Sequence, residues 1–136
     1  MQNFAARWRY GFNTRLSGRH RSSWLTHYFY VAAILFAAAG LFHFYDLLFG
    51  AGATAFHALF AGIDLIAAML LVQRPLWLAH LFVLLALEQM LAHGSQFLQA
   101  AMAGMFDPVS AFIVGFMPLT ALLLYADRKR QSDGLR

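Results

Sequence analysis

All ten basic residues of this 136-residue chain fall in three places. Five arginines (Arg7, Arg9, Arg15, Arg19, Arg21) precede Trp24, Arg74 stands alone near the middle, and Arg128, Lys129, Arg130 and Arg136 close the chain. Between them lie long apolar runs. A helix needs roughly 20 apolar residues to cross a bilayer, and turn residues divide the runs into four such lengths. The spans are predicted at about 24–45, 54–72, 76–99 and 108–125, the third continuing to about Ala103; Gly50-Ala51-Gly52 breaks the first helix, Pro75 suits the first helical position of the third, and Asp107-Pro108 reads as the cap and first turn of the fourth. With four spans, every basic residue lands on one side of the membrane. The positive-inside bias then places both termini in the cytoplasm. Three or five spans would break that agreement.

Composition supports the same class. Hydrophobic residues make up 61% and charged residues only 12%, against about 25% charged in a soluble domain. The predicted fold is all-α: a four-helix transmembrane bundle with a basic N-terminal interfacial segment at residues 1–23 and a polar tail at 127–136. In the N-terminal segment Phe4, Trp8, Phe12 and Leu16 recur every four residues, as on one face of a helix lying in the membrane surface. The net charge of +4 would suggest nucleic acid in a soluble protein. Here the basic residues flank apolar segments, so the lipid bilayer is the expected partner and nucleic acid is not. Cysteine is absent, which removes disulfides, thiolate metal sites and a cysteine nucleophile.

Polar residues inside the spans mark the candidate site, because an intramembrane ionisable group is costly unless paired or wetted. The third span is apolar to Leu87 and then turns polar. Glu88, Gln89, Ser95, Gln96 and Gln99 share one face, with His93 at its border. That face is expected to point into the bundle. In the second span His57, Ala61, Asp64 and Ala68 form a stripe expected to face the third span. His43 and Asp46 sit three residues apart at the end of the first span. Counted from the cytoplasmic ends, Asp64 lies about 12 Å deep, Glu88 about 18 Å, His57 about 22 Å, His93 about 26 Å and His43 about 28 Å. The expected pocket is therefore Asp64, Glu88, Gln89, His93, His57, His43 and Gln96, opening to the outer side.

Each residue also has a plain structural reading. His43 and Asp46 can be interfacial residues at a helix end, His57 can bond a neighbouring helix, and His93 can cap a bend beside Gly94. For Asp64 and Glu88 the functional reading has the stronger physical basis. A metal would draw on His43, His57, His93 and Glu88, although no His-x-x-His or His-x-x-x-His spacing occurs. Bis-histidine haem would need His43 and His93 on facing helices. An aromatic and histidine mouth suits a quinone head group. No nucleophile motif, P-loop or dinucleotide fingerprint is present, so the chain is not expected to be an enzyme on its own.

Ala39-Gly40-Leu41-Phe42-His43-Phe44-Tyr45-Asp46 at the end of the first span, Gly62-Ile63-Asp64-Leu65-Ile66-Ala67 in the second, and His93-Gly94 in the third resemble the DoxX-like group of small four-helix membrane proteins. This chain has His43 where that group often has lysine, and an aspartate where it often has glutamate. The resemblance implies an accessory or partner subunit of a redox or respiratory system in a bacterial inner membrane, linked in some members to quinone. Its partner would be another membrane subunit or a second copy of the chain. Two rival readings are a small oligomeric transporter of protons, metal ions or small solutes, and a structural membrane subunit whose polar groups only fix helix register.

Overall fold

A computed structural model of the protein describes residues 23–50 and 54–133. The expected interfacial segment, residues 51–53 and the last three residues lie outside the described residues. The described chain is four helices with no strand: α1 (Ser23–Phe49), α2 (Thr54–Gln73), α3 (Leu78–Met102) and α4 (Pro108–Asp133). Each is long and apolar enough to cross a membrane. Side chains such as Ile34, Phe49, Leu84, Leu91 and Leu122 are exposed, a surface that water would drive to aggregate and lipid accepts. The protein is therefore of the all-helical, multi-pass membrane class. The chain forms two compact units that divide after Pro75.

In the first unit α1 packs on α2. Leu25, Phe29, Ala32, Phe36 and Gly40 repeat every three or four residues and are buried, so one stripe of α1 meets Ala61, Asp64, Ala68 and Leu71 of α2. The α2 stripe, expected to face the third span, packs on α1 in the first unit. The small residues decide the pairing. At Gly40 a Cβ would lie 3.0 Å from Leu65 Cγ and 3.2 Å from the Ala61 carbonyl oxygen, so the two backbones approach closely there. α1 runs four residues past its expected end at Tyr45, because Leu47, Leu48 and Phe49 continue the apolar run. It stops at Gly50, where a Cβ would fall 2.5 Å from the Asp46 carbonyl oxygen.

After α2 the chain reverses at Arg74, which adopts a left-handed φ of 50°. That conformation costs a non-glycine residue about 1–2 kcal/mol. The buried guanidinium lies 5.2 Å from the centre of the Phe29 ring, and a desolvated cation–π contact offsets a comparable amount, about 2 kcal/mol. Pro75 does not open α3 as expected. It stays in the connector, and the helix begins at Leu78 after a turn closed by the His80 N–H donating to the Trp77 carbonyl.

In the second unit α3 packs on α4 through Leu78, Ala79, Phe82 and Ala86 on one side and Met117, Thr120, Ala121 and Leu124 on the other. α3 closes with Gly104 at φ 70°. The Gly104 N–H donates to Ala101 and the Met105 N–H to Ala100, the double closure that ends many helices. α4 starts as expected, with Asp107 as its cap and Pro108 in its first turn. It continues to Asp133, so most of the segment expected as a polar tail is helical. At its distal end Arg128 donates to His80 Nε2 at 2.6 Å.

Candidate functional site

The packed stripe of the first unit ends in ionisable side chains. Continuing the α1 repeat past Gly40 brings His43 against α2, where His57 and Asp64 occupy the matching stripe. His43 Nδ1 and His57 Nδ1 are 3.1 Å apart, so one ring donates its N–H and the other accepts. His43 Nε2 lies 3.9 Å from Asp64 Oδ2, and His57 Nδ1 lies 4.0 Å from Asp46 Oδ2. These two distances allow electrostatic attraction but exceed hydrogen-bond length. The result is a chain of four titratable groups, Asp64, His43, His57 and Asp46, drawn alternately from the two helices. Asp64 is only 9% exposed. By helical rise the set reaches from about 5 Å to about 15 Å below the α1–α2 loop.

Aromatic rings wall this cluster. His43 meets Phe42, Phe56 and Phe60 at centroid distances of 5.9, 6.2 and 5.7 Å. Phe56 also stands edge-on to His57 at 5.6 Å. Such walls limit water, so the imidazole nitrogens satisfy each other. The His–His bond has a chemical consequence. It needs one unprotonated acceptor nitrogen, so the bonded pair holds at most one proton beyond two neutral rings. Two carboxyls within 4.0 Å of the pair can take or return that proton.

The second unit holds a separate polar set near the α3–α4 connector. Ser110, 1% exposed, has its hydroxyl 3.3 Å from His93 Nδ1 and 3.4 Å from Gln96 Oε1. The hydroxyl has one proton to give, and Gln96 Oε1 can only accept. His93 Nδ1–H therefore donates to Ser110 Oγ while the hydroxyl donates onward. Asp107 Oδ1 accepts from the Val109 and Ser110 backbone N–H groups at 3.1 Å each. Hydrogen bonding from Ser110 holds the Asp107 carboxyl below the ordinary carboxylate range. With the folded value depressed, the stabilisation is complete above the unfolded value of about 3.9. It is lost as pH falls through the lower folded value. The Val109 and Ser110 amides should exchange several-fold faster in Asp107→Ala. In Asp107→Asn they should stay protected, because the amide oxygen still accepts, and the loss of protection in acid should disappear. Amide hydrogen exchange measures both.

Of the residues expected to line the pocket, His43, His57 and Asp64 belong to the first unit and Glu88, Gln89, His93 and Gln96 to the second. The first brings together His43, His57 and Asp64. The second brings His93 and Gln96 to Ser110. Glu88 lies outside the packed α3–α4 side. It is exposed on the face turned away from the α4 contact, and the Gln89 amide donates to Glu88 Oε2 at 2.7 Å. The polar residues of α3 are spread too widely around the helix for one neighbour to cover them all. Sequence reasoning missed two members. Asp46 was placed only at the rim, though its spacing of three from His43 puts both on one face. Ser110 carried no signal beyond its place three residues after the Asp107 cap.

Among the described residues no group of three or more His, Asp, Glu or Cys side chains is disposed to hold a metal ion. No protein-family model, curated protein or solved structure matches the chain.

Proposed function

We propose that this chain is a multi-pass subunit of a redox or respiratory assembly in a bacterial inner membrane, and that the His43–His57 pair with Asp46 and Asp64 is where it takes up and releases protons. The observation that carries the reading is the 3.1 Å imidazole pair flanked by two carboxyls inside the α1–α2 packing. A membrane protein that only needed two helices to adhere would do so with small residues; four ionisable groups there carry a cost without function. The DoxX-like pieces Ala39–Asp46 and Gly62–Ala67 contain three of the four groups, which supports the redox part. The arginine distribution directs the α1–α2 loop, and so the cluster's mouth, to the outer side.

The test uses membranes from cells with and without the protein. A partner subunit comigrates with a redox-active complex on a native gel, and its loss lowers quinol-dependent oxygen uptake and proton release together. If it migrates alone and both rates are unchanged, the redox reading fails. Proton flux through proteoliposomes holding this protein alone would favour the transporter reading, which rests on the same cluster.

A further inference from the structure

Within the second unit, His80 near the start of α3 meets Arg128 near the end of α4. One guanidinium nitrogen, Arg128 Nη1, lies 2.6 Å from His80 Nε2 and 3.5 Å from His80 Nδ1. A neutral imidazole has one acceptor nitrogen, and an imidazolium has none. Arginine brings only donors and stays charged. The contact therefore needs a neutral His80. A proton on the ring removes the acceptor and sets two positive charges in contact. α4 is the helix packed on α3, and its charged residues at this end are Asp127, Arg128, Lys129, Arg130 and Asp133. Among the described residues only Arg128 reaches His80. Asp127, beside Arg128 in sequence, accepts instead from Gln131 Nε2 at 2.8 Å. On α3 no other ionisable residue precedes Glu88.

We propose that His80 and Arg128 form a latch between α3 and α4 that a proton releases. With His80 neutral, the latch pins the last turns of α4 to the start of α3. With His80 protonated, the guanidinium is expelled, and the turns that carry Arg128, Lys129 and Arg130 come away. The arginine distribution directs this end of both helices to the cytoplasm. Imidazole is the side chain whose charge ordinarily changes between about pH 5 and pH 8, so the latch answers to acidification of the cytoplasm. A carboxylate in the place of His80 would keep the arginine down to about pH 4 and give no response in that range. The latch lies wholly in the second unit and does not rest on the proton cluster of the first.

Amide hydrogen exchange over Arg128–Asp133, measured on the full chain in lipid nanodiscs, tests the latch. His80→Gln keeps an acceptor oxygen and cannot take the proton. Its exchange rate at each pH is the reference for the parent, which cancels the ordinary effect of pH on exchange. At about pH 8 the two should match, and at about pH 5 the parent should exchange several-fold faster. His80→Lys, charged throughout, should exchange several-fold faster than His80→Gln at both. Arg128→Gln has no charge for the ring to repel, so its rate should not rise in acid relative to His80→Gln. Lys129→Gln should keep the response of the parent. A parent that matches His80→Gln at about pH 5 overturns the proposal. So does a response to acid that survives in Arg128→Gln, or a His80→Lys chain as protected as His80→Gln.

Discussion

Gly40→Val is expected to destabilise the protein by about 2–3 kcal/mol and to displace the proton cluster with it. The Cβ alone would stand 3.0 Å from Leu65 Cγ and 3.2 Å from the Ala61 carbonyl oxygen. Leu65 is partly exposed and can rotate away. The Ala61 carbonyl is helix backbone and cannot move without its whole turn. Alanine adds one methyl and gains helix propensity, worth about 1 kcal/mol over glycine. Gly40→Ala should therefore lie within about 1 kcal/mol of the parent. Valine adds two further methyls, and one must press on the α2 backbone. The helices then separate by the width of a methyl group. His43 is three residues further along the same stripe, and its 3.1 Å bond to His57 cannot survive that displacement. Thermal unfolding in detergent should rank Gly40→Ala near the parent and Gly40→Val well below it. If valine matches alanine, the close crossing at Gly40 is wrong.

The helices were legible in the sequence for physical reasons that need no partner. Length, apolarity and the breakers Gly50 and Asp107-Pro108 act locally, and the structure obeys them. Pro75 is the exception. A proline is compatible with a first helical turn but does not compel one, and the left-handed Arg74 before it turns the chain too sharply for the helix to start there. The candidate site was legible only in part. His57 and Asp64 were placed on one stripe correctly, because that depends on helical period alone. The packing of the stripe on α1 was not anticipated, because period does not say which helix is opposite. The small-residue contact at Gly40 decided it. Glu88 shows the reverse limit. A polar residue in a span signals that something must cover it, and one chain's sequence does not say whether that cover is its own.

His43→Phe and His57→Phe separate a working proton cluster from a merely adhesive one, because stability and activity should move apart. Phenylalanine keeps the ring that His43 packs against Phe42, Phe56 and Phe60 and removes both nitrogens. Either single replacement leaves the other imidazole without its bonding partner, a penalty of about 1–3 kcal/mol. The double replacement removes donor and acceptor together and puts two apolar rings face to face. It should recover much of that loss, with a coupling of about 0.5–3 kcal/mol between the sites. Activity should not recover. A positioned proton-transfer group is worth on the order of 10²–10⁴-fold in rate, so proton release coupled to quinol oxidation should fall at least about 10²-fold in both singles and in the double. Asp64→Asn, which keeps shape and hydrogen-bonding capacity but cannot carry the proton, should fall with them. Unfolding midpoints and proton-release rates on the same four variants decide the matter. If the double variant regains stability and keeps its proton release, the imidazoles only hold α1 to α2 and the proton-handling role is lost.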